Sequence, residues 1–195
     1  MRADVSALYV DPRGPYPRLL ADCWDEVRDA KLYAGPNPVV AHPPCGPWGK
    51  LRGLYSGHDK DCGIRAVAQV QQLGGVLEQP ADSKLWDACS LPSIRDGVDQ
   101  FGGHSVQVDQ VQWGHVARKR TWLYVVGVSM ADVAGAILPW TRGRRAPTHW
   151  CSGTHTPGQR GTVPPGIKVC SAQQRRRTPV AFAEWLISLA AQAKR

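Results

Sequence analysis

A chain of 195 residues with 43% hydrophobic content is long enough for a real core and too apolar for a disordered tail. No apolar run approaches the roughly 20 residues of a membrane span, and the start Met1-Arg2-Ala3-Asp4 lacks the apolar stretch of a signal peptide. The expected setting is therefore cytoplasmic, with no membrane partner. Lys and Arg total 24 against 16 Asp and Glu, a net charge of +8. The excess is late: no acidic residue falls between Asp132 and Glu184, where Arg142, Arg144, Arg145, Arg160, Lys168, Arg175, Arg176 and Arg177 stand. A field of one sign attracts polyanions, which makes DNA the expected partner.

In chain order, Ser6 to Val10 predicts a short strand, and Asp11-Pro12-Arg13-Gly14-Pro15-Tyr16-Pro17 an ordered loop. Leu19 to Ala30 reads as one irregular helix, and Gly35-Pro36-Asn37-Pro38 as a turn. Val39-Val40-Ala41 then predicts a buried strand that stops at Pro43-Pro44 and delivers Cys45 into a loop of Gly46, Pro47 and Trp48. Proline cannot continue a strand ladder and fixes its own φ, so Cys45 is held in one place at a strand end. That makes it the candidate nucleophile; the ordinary alternative is a small buried hydrophobe beside a turn. Lys50 to Asp61, with Gly53 and Gly57, reads as a loop of the kind that closes over substrates.

Asp61 can cap a helix whose apolar positions are Ile64, Val67, Ala68 and Val70 to Leu73, with Gly74 as its C′ residue. Val76-Leu77 follows as a second buried strand ending at Glu78-Gln79-Pro80. Strand, loop, helix, strand is the βαβ rhythm of a parallel sheet. Such sheets place ligands beyond the carboxyl ends of their strands, where Cys45 and Glu78 both fall. Residues 81–105 read as a long irregular excursion. Val106, Val108 and Val111 alternate in part, Arg118-Lys119-Arg120 is a compact cationic cluster, and Thr121 to Val128 is the clearest strand. Arg118 and Arg120, one strand period apart, can point the same way.

The segment 129–177 reads as a small basic insertion, with Trp140 and Trp150 available to stack on a base between phosphate contacts. Thr178 can cap a last helix with Pro179 at its first position and a stripe of Phe182, Trp185, Leu186 and Leu189, returning to the core. The expected fold class is α/β, a single Rossmann-like domain with a mostly parallel sheet: a core over 1–128, the basic segment 129–177 and the returning helix 178–195. Six cysteines without tight pairing read as thiols or ligands. A competing reading lets His149, Cys151, His155 and Cys170 hold zinc. His42 and His115 flank the proposed cleft and read as structural.

Pro44-Cys45, then Glu78, then Arg118-Lys119-Arg120 running into an apolar strand ending at Val126-Gly127 resembles the DNA cytosine carbon-5 methyltransferases. That family carries a Pro-Cys loop, a Glu-Asn-Val strand end and a Gln-x-Arg-x-Arg segment in this order. The resemblance implies that Cys45 adds to carbon 6 of a flipped cytosine, that Glu78 meets ring nitrogen 3 and the exocyclic amine, and that Arg118 and Arg120 steady the base and the glutamate. It also implies S-adenosylmethionine as donor. Here Glu78 is followed by Gln79-Pro80, and Val116 stands at the glutamine position. The first strand runs into Asp11-Pro12-Arg13-Gly14 in place of the family's Phe-x-Gly-x-Gly loop. Asp11, Arg13 and Gly14 are the candidate donor-binding residues, and an arginine there suits a phosphate or carboxylate better than a sulfonium. Two other readings stay open: a catalytically inactive relative that binds DNA, and a hypermodification enzyme using another donor.

Overall fold

The computed structural model describes residues 4–50, 52–57, 59–94, 97–143, 145–151, 163 and 165–194. Its main sheet is formed by β1 (Ser6–Leu8), β2 (Cys23–Trp24), β3 (Val39–Ala41), β4 (Gly75–Pro80), β5 (His104–Asp109) and β6 (Arg120–Val126), in the order β2-β1-β3-β4-β6-β5. The pairings β2 to β1, β1 to β3 and β3 to β4 are parallel. Those of β6 with both β4 and β5 are antiparallel, so β5 runs with β4 and β6 alone is reversed. The fold is α/β with a mostly parallel six-stranded sheet flanked by helices, compatible with a Rossmann-like arrangement.

Period-two alternation sorts the strand residues onto two covered faces. Ala7, Val40, Val76, Leu123 and Val125 pack with Phe182, Trp185, Leu186 and Leu189 of the C-terminal helix Val180–Ala190. Leu8, Val39, Ala41, Leu77, Tyr124 and Val126 face Ala66, Val67, Val70 and Leu73 of the helix Lys60–Leu73. Each fully buried Leu or Phe contributes roughly 1.5–3 kcal/mol, so the stripe read from 182 to 189 is what fixes the last helix to the sheet. Gly75 opens β4 at φ +114, and a Cβ there would collide with the Val39 carbonyl of the neighbouring strand. Only glycine serves both needs.

Several elements differ from expectation. Leu19 to Ala30 is not one helix: Tyr16–Leu19 is a single turn, Cys23–Trp24 pairs with Ala7–Leu8, and Ala30–Leu32 is a 3-10 turn. Asp22 explains the break, because its carboxylate takes the Ser6 hydroxyl at 2.5 Å, the Trp24 indole N–H at 2.9 Å and the Arg28 guanidinium at 2.7 Å. These contacts lay the chain along the sheet edge. The excursion after β4 contains a short helix, Leu85–Ala88, and the strand expected around Val106 begins at His104. The first part of the basic segment is a helix, Met130–Thr141, capped by the Ser129 hydroxyl on the Asp132 amide. The last helix has Pro179 at its N-cap with no side-chain cap from Thr178. Among the described residues no helix is long and apolar enough to cross a membrane.

Candidate active site at the strand ends

Ala41 pairs with Leu77, so His42 leaves the sheet at the level of Glu78, which still pairs with Leu123 within β4, and Cys45 lies three residues further along the loop from β3. The reversal of β6 brings its start to this rim too, since Thr121 pairs with Pro80. The loop that carries Cys45 is pinned from below. The Gln79 side chain, fully buried, donates from Nε2 to the Pro43 carbonyl at 2.6 Å and accepts the Ser83 hydroxyl at 3.3 Å. The Cys45 carbonyl accepts the Trp48 amide at 3.1 Å and the Gly49 amide at 2.8 Å, closing a turn. Trp48 lies against Gly63 of the helix Lys60–Leu73, where a Cβ would strike its indole. Cys45 itself opens to solvent at the top of this turn.

Glu78 is the most closely partnered group at the rim. His42 Nδ1 lies 3.0 Å from its Oε2, and Gln110 Nε2 donates to its Oε1 at 3.0 Å and to the Thr121 hydroxyl at 2.9 Å. Burial pushes the Glu78 carboxyl up, but the His42 hydrogen bond, the Lys119 charge and Thr121 outweigh it and leave it below its ordinary value. The carboxylate is the resting form. Burial and then the Glu78 charge push the Cys45 thiol up, while Lys119 and Arg176 act in the opposite sense. Cys45 therefore rests as a thiol, and a charge change at Glu78 is felt at its sulfur.

The structure brings Cys45, Glu78 and the 118–120 cluster to one rim, but divides the cluster differently from expectation. Arg118 Nε bonds Asp109 Oδ2 at 2.9 Å, and Arg120 reaches Asp82 at 3.3 Å, an acid that Lys50 also meets at 3.1 Å. Glu78 is held by His42 and Gln110, and Lys119 supplies the charge expected of the arginines. Sequence reasoning read His42 as structural, counted Lys119 only as part of the 118–120 cluster, and gave Gln110 and Tyr16 no role at the rim. The signal was faint: a glutamine at the end of a half-alternating strand has no sequence mark of function.

The basic segment folds over one side of the rim. The helix Ala172–Arg176 is tied down by His115, whose Nε2 donates to the Gln174 carbonyl at 3.0 Å, and Lys119 Nζ reaches the Arg177 carbonyl at 3.5 Å. Arg175 is half-buried, and Arg142, Arg145, Arg176, Arg177 and Lys168 are exposed. Arg144 and Arg160 lie outside the described residues. Trp140 is half-buried, with its ring engaged by the core. It stacks on Trp113 at 5.5 Å, beside Trp185 and Phe182.

Of the four residues read as a zinc set, His155 lies outside the described residues, and no group of three metal-binding side chains occurs among the described ones. Cys151 and Cys170 are both buried and meet each other; burial and Cys170 push the Cys151 thiol up to about 12. His149 bonds the Thr148 hydroxyl at 2.9 Å and sits in a two-stranded sheet, His149–Trp150 with Lys168–Val169.

A cleft of about 440 Å³ opens beyond the carboxyl ends of β1 and β2, lined by Val10, Asp11, Pro12, Arg13, Asp25, Glu26 and Val27. Its two sides differ. The Asp11 to Gly14 loop spends its amides internally: Gly14 N–H donates to the Asp11 carbonyl at 2.8 Å and Arg13 N–H to the Asp11 carboxylate at 2.9 Å. Opposite, Glu26 is exposed just past β2, where doubly wound sheets keep the acid that meets ribose hydroxyls.

Fold and rim together define an α/β chain with thiol, carboxylate and ammonium groups gathered at the carboxyl ends of a mostly parallel sheet. Comparison with protein-family models, with curated proteins and with solved structures finds no match to this chain.

Proposed function

We propose that the protein modifies a pyrimidine, cytosine, at carbon 5 in DNA. One observation carries the reading: Cys45, in the loop that follows β3, and Glu78, in the parallel strand β4 beside it, come to one rim with Lys119, whose charge acts on both, and with the basic helix Ala172–Arg176. Addition of the Cys45 sulfur to carbon 6 makes carbon 5 nucleophilic, and a proton delivered by Glu78 to ring nitrogen 3 absorbs the charge that develops there. The base must leave the duplex to reach the rim, and the arginines around residues 142–177 suit the flanking phosphates. S-adenosylmethionine is the donor that the resemblance implies. The cleft beyond β1 and β2 suits the ribose of a nucleoside donor through Glu26, and Arg13 on its other side suits an anionic group.

The test is covalent trapping. Duplexes of mixed sequence carrying 2-pyrimidinone at cytosine positions accept a thiol at carbon 6 without any donor. A bond mapped to Cys45 by peptide mass spectrometry, absent in Cys45→Ser, supports the reading; salt-sensitive DNA binding without any adduct would instead leave a DNA-binding protein with no base chemistry. Nucleoside mass spectrometry of DNA from cells expressing the protein then names the added group.

A further inference from the structure

Glu78 rests as a carboxylate, yet the proposed chemistry asks it to deliver a proton. Behind it stands a buried chain of groups for which the proposed chemistry has no use so far. His42 Nδ1 meets Glu78 Oε2 at 3.0 Å, and on the far side of the ring His42 Nε2 meets the Tyr16 hydroxyl at 2.6 Å, with the two rings 5.0 Å apart. Tyr16 is buried on the sheet face under the C-terminal helix, and the His42 and Glu78 side chains are only 12% and 10% exposed. A histidine so placed is anchored at both nitrogens, and its ring stands between a carboxylate and a phenol that keeps its proton. Burial, Glu78 and Cys23 all push the Tyr16 hydroxyl well above its ordinary range.

We infer that His42, held in place by the Tyr16 hydroxyl, sets the proton on Glu78, Tyr16 acting as a positioning residue and His42 acting through Glu78. The use of that proton rests on the reading under "Proposed function". The titratable and charged groups facing the pair are few: Glu78 on β4, Cys23 on β2 beside Tyr16, Lys119 at the approach to β6 and, beyond it, Cys45 and Arg176; Gln110 and Thr121 add only dipoles. At rest the His42 hydrogen bond and the Lys119 charge both favour the Glu78 anion, so the proton passes only as charge builds on the substrate ring; His42 is the partner within hydrogen-bond reach of the carboxylate. With the ring doubly protonated, its Nδ1 proton moves to Glu78 Oε2 and leaves neutral imidazole beside a neutral carboxyl. Glu78 passes that proton to ring nitrogen 3 as the sulfur to carbon 6 bond forms. The proton released from the Cys45 thiol returns through solvent to the imidazole, so the addition is proton-neutral overall.

The experiment follows both partners directly in the full chain, by pH titration of the His42 ring nitrogens and the Glu78 carboxyl carbon in isotope-labelled protein. In the wild type the two nuclei should report the same two coupled steps. His42→Asn keeps an N–H donor for Glu78 but cannot titrate, so Glu78 should collapse to a single step. Tyr16→Phe, which removes the hydroxyl at His42 Nε2, should shift the coupled steps at both nuclei together. Identical Glu78 curves in wild type and His42→Asn would overturn the inference. The trapping reaction supplies a separate arm: His42→Asn should slow adduct formation by about 10²-fold or more and abolish the wild-type pH profile, as loss of a proton-transfer group does. An unchanged rate and profile would also overturn it. If wild-type protein forms no adduct, the cytosine reading fails while the titrations still decide whether His42 and Glu78 share a proton.

Discussion

Gln79→Leu tests how the sheet holds the loop that carries Cys45. Leucine nearly conserves volume, so the change isolates the hydrogen bonds from cavity formation. It removes the 2.6 Å donor to the Pro43 carbonyl and the acceptor that the Ser83 hydroxyl uses at 3.3 Å. Pro43 is itself buried, so its carbonyl has no easy recourse to water. Leaving a buried acceptor unpaired costs about 1–3 kcal/mol, which for a chain of this size lowers Tm by roughly 2–12 °C. The loss should be partly local, because the loop from Pro43 to Trp48 can lift without the sheet opening. Two assays separate the parts: urea unfolding for the global term, and the rate of Cys45 alkylation by a small iodoacetamide reagent for the local one. Gln79→Leu should lower the unfolding midpoint and speed Cys45 alkylation several-fold under native conditions. A lowered midpoint with an unchanged Cys45 rate would show that Gln79 only fills the core, and an unchanged midpoint would show that the Pro43 carbonyl finds another partner.

Glu78 has its folded-state pKa depressed, so it contributes stability above its unfolded value of about 4.3 that is lost as pH falls through the folded value; Glu78→Gln should flatten the acid limb of a stability profile, and an unaltered limb would contradict the balance of burial against His42 and Lys119. Lys119→Met removes a cation that favours the Cys45 thiolate, so the pH profile of Cys45 alkylation should move to higher pH, with Cys151, already pushed up to about 12, staying unmodified in the folded protein as the internal control. Gly75→Ala should be among the most damaging single changes, by more than about 2 kcal/mol, because it forces an alanine to φ +114 against the Val39 backbone, whereas Gly53→Ala meets nothing within 4 Å and should stay within about 0.5 kcal/mol in thermal melts.

What the sequence made legible is what local pattern encodes. The buried β-branched run at 39–41 and the stop at Pro43-Pro44 place Cys45 without any knowledge of the sheet, and the Phe182 to Leu189 stripe gives the last helix its buried face. The edge strand Cys23–Trp24 was not legible, because two residues carry no period and the contacts that hold them come from Asp22 and from Ser6 on a different strand. The same limit applies at the site. That Arg118 and Arg120 are one strand period apart is a local fact, but Arg118 lies before the strand begins and finds Asp109 on the neighbouring strand, while Arg120 finds Asp82. Gln110 reaches Glu78 only because β6 is inserted between β4 and β5, a pairing that no short window contains.

The reversal of β6 has a consequence for how such a site can change. Asp109 at the end of β5 pairs with Arg120 at the start of β6, so the link between them leaves and rejoins the sheet on a single rung. Its two ends carry Gln110 and Lys119, and it is anchored midway by Trp113 in the aromatic cluster. Beyond that anchor, Gly114 to Arg118 is tied to the basic segment: the buried His115 ring bonds the Gln174 carbonyl, the Val116 carbonyl takes the Thr148 and His149 amides, and Ala117 is fully buried beside Cys151 and Cys170. The rung that sets Gln110 and Lys119 is therefore also the one from which the basic segment hangs. A change of length between Gly114 and Arg118 would shift the helix Ala172–Arg176 against the rim, so this link is a hinge between the two parts and not a place where residues are added freely.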